Sequence, residues 1–209
     1  LTRSLNDAGV QNITVVTGYR GDAVDLPNIE TVANEAYEGT GEVASLACAK
    51  EALKGDCIVS YGDILFRGYM LNLLLDTTAD IAVVVDAEWR EERASAPKHT
   101  ADLVQCSLPF SVDSLDESPV LLQKVDSAMA PEDAHGEWVG LMKLSARGSE
   151  LVRAEIAAME KDGTAGQAGL PELVNRLIAK GQKPTVVYVT GDWLDVNDAF
   201  DLARARNFT

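Results

Sequence analysis

The chain has 209 residues, and its 33 acidic and 18 basic side chains give a formal net charge of −15 at pH 7. That length can bury a sizeable core in one α/β domain, whereas the acidic balance argues against nucleic acid as a partner, because contacts to many phosphates need a basic face. No apolar run approaches the ~20 residues of a membrane span and no signal peptide is visible, so no membrane partner is expected.

Strands and helices alternate along the first 85 residues. A short helix over residues 1–8 leads to a β-branched strand at 13–17 and a second strand at 29–33. An Ala-rich helix, a buried strand, another helix and a continuous apolar strand follow at 43–53, 57–59, 68–75 and 81–85. The alternation predicts a mainly parallel, doubly wound, Rossmann-like sheet.

The pattern changes after Asp86. Residues 87–100 are charged and predict an exposed loop, and short strand candidates follow at 103–107, 120–125 and 137–144. These strands predict an antiparallel insertion that completes or caps a mixed sheet. Two helices and a last strand come next, at 148–161, 170–179 and 185–189, and Asn197 is a good N-cap for a terminal helix. Without a repeat or a linker, residues 1–209 are expected to form a single domain.

The first candidate site follows the strand at 57–59, which runs into Gly62 and Asp63. At the C-terminal end of a parallel strand, side chains face the crevice in which open α/β sheets bind ligands. A carboxylate there suits Mg²⁺, which takes one or two carboxylates and fills its other positions with water and substrate phosphate. A polar turn residue that ends a strand is an equally good interpretation of Asp63.

Two further stretches would lie at the same edge of the sheet. In the loop at 34–45, Gly39 and Gly41 allow backbone N–H groups to face a ligand at the positive end of the Ala-rich helix, although a flexible connection capped by its own side chains is the simpler interpretation. In the second stretch, Asp195 and Asn197 alternate at a strand end and can point the same way. A helix cap explains Asn197 at least as well.

Lys124 and Trp138 are weaker candidates beside predicted strands. Lys124 could reach a phosphate, but a lysine at a strand end is usually only solvated. Trp138 could line a pocket, but an aromatic residue next to a strand more often belongs to the core.

Three cysteines are too few for a disulfide framework or a metal cage. Cys48 in the Ala-rich helix and Cys57 in a strand are predicted to be small core residues. This cysteine usage fits a reducing, cytoplasmic compartment.

Taken in order, several segments resemble the nucleotidyltransferases of the sugar-nucleotide and phosphocholine type. They are residues 5–19, residues 34–46, Ser60-Tyr-Gly-Asp63 and Trp193-Leu-Asp-Val-Asn-Asp198. More narrowly, residues 101–111 and 137–145 resemble the cytidylyltransferase domain that is fused to phosphoenolpyruvate mutase in phosphonate biosynthesis. The resemblance extends over nearly the whole chain and implies a GT-A-type, Rossmann-like nucleotidyltransferase fold.

The resemblance implies a Mg²⁺-dependent reaction of CTP with a phosphate monoester or a small phosphonate, such as 2-hydroxyethylphosphonate or 2-aminoethylphosphonate, giving a CMP conjugate and pyrophosphate. Asp63 and Lys124 would then be catalytic, and the metal would be held by Asp63, Asp195 and Asn197. Nucleotide contacts would come from Thr40, Gly41, Glu42, Ser45, Tyr61 and Gly62. Acceptor contacts would come from Tyr37, Glu137 and Trp138.

One part of the family pattern is not in this sequence. The resemblance places a Gly-rich loop with basic residues, which holds the triphosphate, before residue 1. The domain is therefore expected to lack its N-terminal first strand and signature loop, and a chain without them is expected to be poorly active. Alternatives are a transferase for phosphocholine or a sugar 1-phosphate, and a non-catalytic nucleotide-binding domain. Fusion to a phosphoenolpyruvate mutase domain and homo-oligomerisation stay open.

Overall fold

A computed structural model describes residues 1–90, 100–113 and 118–208. Its strands are β1 (Ile13–Thr17), β2 (Ile29–Ala33), β3 (Cys57–Ser60), β4 (Ile64–Phe66), β5 (Ile81–Asp86), β6 (Leu103–Cys106), β7 (Leu122–Val125), β8 (Gly136–Leu144), β9 (Thr185–Val189) and β10 (Trp193–Asp195). Its helices are α1 (Thr2–Asp7), α2 (Glu42–Cys48), α3 (Gly68–Leu75), α4 (Ala146–Asp162), α5 (Leu170–Ala179) and α6 (Ala199–Ala205).

The centre of the fold is a six-stranded mixed sheet organised around β8. β5 pairs antiparallel with both halves of β8. On the other side, the second half of β8 pairs antiparallel with β3, and β6 and then β7 extend the sheet beside its first half. β9 pairs in parallel with β5. Thus β3, β5 and β9 run in one direction, and the predicted antiparallel insertion supplies a strand inside the mixed sheet instead of a cap on it.

Helices cover both faces of this sheet, as a doubly wound fold requires. Val83 and Val85 of β5 pack into one hydrophobic cluster with residues of α4 and α5, whereas Ala82 and Val84 pack into another with residues of α3. Every residue of β5 is buried. The continuous apolar run predicted a strand buried on both faces, and the structure confirms it.

Two smaller sheets complete the described fold. β1 and β2 form a parallel pair of their own, and β4 forms an antiparallel pair with β10. The sequence did not predict β4, because a strand of three residues carries no recognisable period and its partner lies almost 130 positions further along the chain. This short pair matters because it lies directly beside Asp63.

Three local predictions were wrong. The sequence predicts an Ala-rich helix to residue 53, but the helix ends at Cys48 and a 3-10 turn follows at Lys50–Ala52. The sequence also predicts Cys48 as a core residue, but its side chain is exposed. The terminal helix is capped by Asp198 and not by Asn197: the Asp198 carboxylate accepts from the amides of Phe200 and Asp201 at 2.7 and 2.9 Å.

The predicted exposed loop at 87–100 falls mostly on residues 91–99, which lie outside the described residues. At its start, Trp89 is only 1% exposed, and the Arg90 guanidinium lies 4.7 Å from the centre of its ring. Within the described parts of the chain, no helix is both long and apolar enough to cross a membrane.

Candidate functional site

Asp63 and Asp195 are brought together by the pairing of β4 with β10. Asp63 immediately precedes β4, Asp195 ends β10 opposite Ile64, and the Val196 amide donates to the Asp63 carbonyl at 2.9 Å. Burial, and then the neighbouring Asp195 carboxylate, raises the pKa of Asp63 above its ordinary value. A bound cation would stabilise the charged form of Asp63 in such a place.

Asn197 lies beside the same pair, since its side-chain amide donates to the Asp195 carboxylate at 2.5 Å. The three side chains that the sequence predicts as metal ligands therefore lie near one another. Within the described residues, no group of three or more His, Cys, Asp or Glu side chains is arranged to hold a metal ion. Two carboxylates and an amide remain a donor set that fits Mg²⁺, which keeps water and substrate oxygens in its other positions.

Two more carboxylates are coupled electrostatically to this pair. Glu42, the first residue of α2, raises the pKa of Asp63 and also that of Asp102, which lies just before β6. Burial is the main reason why the pKa of Asp102 rises to about 6, with Glu42, Glu172 and Asp195 contributing in the same direction. Glu42, Asp63, Asp102 and Asp195 are called the acidic cluster below.

Tyr61 joins Asp102 to the turn that carries Asp63. The Tyr61 hydroxyl donates to the Asp102 carboxylate at 3.0 Å, and its ring lies 5.9 Å from that of Trp138. Burial, reinforced by the Asp102 charge, raises the pKa of Tyr61, so the hydroxyl stays protonated and available as a donor at neutral pH. Tyr61 is thus a structural neighbour of the acidic cluster.

The loop at 34–45 is organised by a buried asparagine. The Asn34 side-chain amide donates to the hydroxyls of Thr40 and Ser45 at 2.9 and 3.1 Å, and its carbonyl oxygen accepts from the Ala36 amide. Asn34 is only 5% exposed. Two residues predicted to contact the nucleotide, Thr40 and Ser45, are therefore held by the same side chain at the start of α2.

The glycines of this loop do not present free amides to a ligand, contrary to one of the two sequence interpretations. The Gly41 amide donates to the Gly166 carbonyl at 2.8 Å, and the Gly39 amide donates to the Ala36 carbonyl at 3.0 Å. A Cβ on Gly41 would lie 2.4 Å from the Ala168 carbonyl oxygen. Gly41 thus allows close packing of two backbone segments.

Tyr37 lies in a different place from the acidic cluster. It lines a cleft of about 380 Å³ at the C-terminal ends of β1 and β2, together with Thr17, Gly18, Gly21, Asp22, Thr31, Ala33, Asn34 and Glu35. Asn34 connects the two regions, because it lines this cleft and also binds Ser45.

Three other predicted residues are placed less favourably for direct contacts. Lys124 forms an exposed ion pair with Asp126 at 2.7 Å, which fits the solvated interpretation. Trp138 is 2% exposed and donates to the Leu141 carbonyl at 3.2 Å, so it is a core residue that supports Tyr61. Glu137 is half-buried in β8, opposite Asp86 of β5.

Sequence reasoning missed Asp102, Asn34 and their roles. Asp102 falls in the segment 101–111 that carries the narrower resemblance, but nothing in that segment singles it out, and it reaches Tyr61 because β6 pairs with the first half of β8. Asn34 directly follows the predicted strand at 29–33, a position where asparagine side chains often stabilise a turn by bonding the backbone. The turn position is a local signal that could have identified Asn34. No comparable local signal in the sequence singles out Asp102.

Comparison with known proteins agrees with this architecture. The chain is 23% identical over 218 residues to the CTP:phosphoglutamine cytidylyltransferase of Campylobacter jejuni, covering 95% of this chain and 82% of that protein. The structure superposes on the inositol-1-phosphate CTP transferase from T. maritima with a TM-score of 0.71, 16% identity and coverage of 99% and 79% of the two chains. This chain has the nucleotidyltransferase fold.

The nucleotidyltransferase fold is also that of the CTP:phosphocholine cytidylyltransferase from Streptococcus pneumoniae, with a TM-score of 0.63, 16% identity and coverage of 98% and 81%. No family profile matches the chain. The homologue and these structural neighbours are cytidylyltransferases or CTP transferases, so the predicted α/β nucleotidyltransferase fold with a mixed sheet is confirmed.

Proposed function

We propose that this protein is a Mg²⁺-dependent cytidylyltransferase that transfers CMP from CTP to a small phosphonate or phosphate monoester and releases pyrophosphate. Phosphonates such as 2-hydroxyethylphosphonate and 2-aminoethylphosphonate are the proposed acceptors. An acceptor oxygen attacks the α-phosphorus of CTP, the bond from that phosphorus to the bridging oxygen of the β-phosphate breaks, and pyrophosphate leaves with the electron pair. No protein nucleophile is required, because such a transfer depends on positioning and charge neutralisation.

The observation that carries this proposal is the pair of carboxylates at Asp63 and Asp195, on a fold shared with proteins that use CTP. Asp63 and Asp195, with Asn197, would hold Mg²⁺ at the edge of the sheet where α/β folds bind ligands. When bound, the ion would supply Lewis-acid neutralisation of charge on phosphate oxygens. An anionic triphosphate can approach a cluster of carboxylates only when a cation is present, which is a second reason to propose the metal.

The chain's own groups would orient the two substrates. Thr40 and Ser45, held by Asn34, offer hydroxyls beside the first turn of α2 for the ribose or the base. Glu42 belongs to the acidic cluster, so it would contact the nucleotide near the proposed Mg²⁺ position. Tyr37 would contact the acceptor from the adjoining cleft.

We further propose that turnover needs a further strand and a Gly-rich, basic loop of the kind that the resemblance implies. Two features of the sheets support this. β1 and β2 form a sheet of their own, and β3 is paired with β8 alone in the described part of the chain. One edge of β1 and one edge of β3 are therefore open to a further strand. The basic residues expected in that segment would meet the triphosphate.

The acceptor can be tested directly. The full-length protein and its Asp63→Ala variant are assayed for pyrophosphate release with each of the four nucleoside triphosphates, Mg²⁺ and a panel of phosphonates, phosphocholine, phosphoglutamine and sugar 1-phosphates. We expect release with CTP and a phosphonate, reduced at least about 100-fold in the variant because one metal carboxylate is lost. Release with another acceptor would overturn the phosphonate assignment alone. Nucleotide binding without release from any pair would favour a non-catalytic nucleotide-binding domain.

A further inference from the structure

The turn that carries Asp63 is anchored through the residue two positions before it. The Tyr61 amide donates to the Gly140 carbonyl at 3.0 Å, which extends the pairing of β3 with β8 by one hydrogen bond. The Ser60 hydroxyl donates to the Tyr61 carbonyl at 2.8 Å. The backbone at Tyr61 is therefore fixed to the central strand of the sheet.

The Tyr61 ring is fixed as firmly as its backbone. Gly140 has a positive φ of 78°, and a Cβ at that position would lie only 2.0 Å from the Tyr61 ring. The ring thus lies directly on the β8 backbone, and it also packs against the buried Trp138, with a tilt of 41° between the two rings. In this position the hydroxyl donates to the Asp102 carboxylate.

Asp102 is itself held in place by its neighbours. Its carbonyl accepts from the Trp138 amide at 2.8 Å, and the flanking residues Ala101 and Leu103 are buried. Because the Asp102 backbone is fixed and its carboxylate is bonded to the packed Tyr61, the two residues connect β6 rigidly to the end of β3. From there the Asp63 carbonyl accepts from Val196, next to Asp195.

We propose that Asp102 is a positioning residue for the reaction: by accepting the Tyr61 hydroxyl hydrogen, it holds the Gly62–Asp63 turn where Asp63 and Asp195 act together. The proposal rests on the proposed function only for what Asp63 does, because the connection through Tyr61 exists whichever ligand binds. Asp102 acts through Tyr61, and therefore the feature that matters is the acceptor oxygen and not the negative charge.

A series of variants separates this role from a direct contact between the Asp102 charge and a ligand. Tyr61→Phe removes the hydroxyl, Asp102→Ala removes the acceptor, and Asp102→Asn keeps an acceptor oxygen but no charge. Because both single losses break the same bond, the double variant Y61F/D102A should be no worse than either single variant, which is the signature of coupled residues. Glu51→Gln, at a side chain that is 82% exposed, is the control.

In the full-length protein we expect Tyr61→Phe and Asp102→Ala to lower kcat by similar factors of about 10, with little change in the KM for CTP, as one buried hydrogen bond is lost. Asp102→Asn should retain kcat within about threefold. Additive losses in the double variant, or an Asp102→Asn variant as impaired as Asp102→Ala, would overturn the positioning role.

Amide hydrogen exchange tests the same connection without turnover. The Val196 amide is protected by the Asp63 carbonyl, so its exchange rate, normalised to the Val84 amide of β5, reports how firmly Asp63 is held. Exchange at Val196 should be faster in Tyr61→Phe and Asp102→Ala and unchanged in Asp102→Asn and Glu51→Gln. If no pair of substrates releases pyrophosphate, the proposed function fails and this exchange pattern alone decides the positioning role. Unchanged protection of Val196 in both disruptive variants would refute it.

Discussion

Asp63 immediately precedes β4 and Asp195 ends β10, so the register of β4 with β10 holds two carboxylates beside each other. Burial and the Asp195 charge raise the pKa of Asp63. The short strand pair therefore maintains an electrostatic repulsion that the fold must tolerate when no cation is bound. Such local destabilisation is common where a protein is arranged for a ligand and not for its own stability.

Asp63→Asn should stabilise the protein in the absence of divalent cations. A raised pKa means that the folded state binds the proton more tightly than the unfolded state, so stability falls as pH rises from the ordinary Asp pKa through the raised one. The amide removes this loss, and we expect a melting temperature about 1–2 °C higher at pH 7 with a chelator present. Near pH 3, where the carboxyl is protonated in both states, the gain should vanish. Glu51→Gln, the control, should leave the melting temperature unchanged both at pH 7 and near pH 3.

Magnesium should make the wild type more stable than Asp63→Asn, which reverses their order in the absence of divalent cations. A ligand at ten times its Kd stabilises the folded state by about 1.4 kcal/mol, or roughly 3–6 °C for a chain of this size. We expect titrated MgCl₂ to raise the melting temperature of the wild type by this amount and that of Asp63→Asn and Asp195→Asn by much less. KCl at matched ionic strength is the control. Equal shifts in all three proteins would show that the ion binds elsewhere.

The sequence predicted most of the fold because the decisive signals are local. The apolar run at 81–85 indicated a strand buried on both faces, and Ile13–Thr17 and Ile29–Ala33 coincide with the predicted strands. The position of β8 between β3 and β5 could not be predicted, since it depends on pairings between residues 51–87 positions apart. β4 was missed for the same reason.

The candidate site was predictable only where its residues follow strands. Asp63, Asp195 and Asn197 each stand at or beside a strand end, and strand ends at one edge of a sheet are brought together by the fold. Asp102 has no such signal. Asp102 was found only through its tertiary contact with Tyr61, whose ring packs against the Gly140 backbone and the Trp138 ring.

Asn34→Ala should loosen the loop at 34–45. The substitution removes the bonds to Thr40 and Ser45 and leaves the Ala36 amide without its acceptor. We expect a loss of about 1–3 kcal/mol in the free energy of unfolding, because the site is buried. Urea unfolding measures it. The matched control is Asn72→Ala on the exposed side of α3, which should stay within about 0.5 kcal/mol of the wild type.

Arg176→Ala should destabilise the contact between α4 and α5. The Arg176 guanidinium bonds Glu155, whose side chain is 2% exposed, at 2.6 Å, and Lys180 bonds the same carboxylate. Burial raises the pKa of Glu155, but the bonds from Lys180 and Arg176 outweigh it and hold that pKa below the ordinary value. We expect a loss of about 2 kcal/mol at pH 7.

The pH dependence of the stability loss in Arg176→Ala tests whether the Glu155 charge is responsible. A lowered pKa stabilises the fold above the ordinary Glu pKa of about 4.3, and that stabilisation is lost as pH falls through the folded value. The difference between wild type and Arg176→Ala should therefore shrink below about pH 4. Arg147→Ala, at an exposed guanidinium 3.5 Å from Asp80, is the control and should have little effect at any pH. A pH-independent difference would mean that packing, and not the Glu155 charge, is responsible.

Gly140→Ala should be far more damaging than the same change at Gly163. Both glycines have φ near 80°, so an alanine is strained by about 1 kcal/mol at either position. At Gly163 the new methyl group meets open space, whereas at Gly140 it would lie 2.0 Å from the Tyr61 ring. We expect a loss of about 1 kcal/mol for Gly163→Ala and at least about 3 kcal/mol for Gly140→Ala, measured by urea unfolding. Since the ring must move, the bond from Tyr61 to Asp102 should break as well, and faster amide exchange at Val196 would report it. Equal losses at the two positions would mean that Tyr61 is not packed against the β8 backbone.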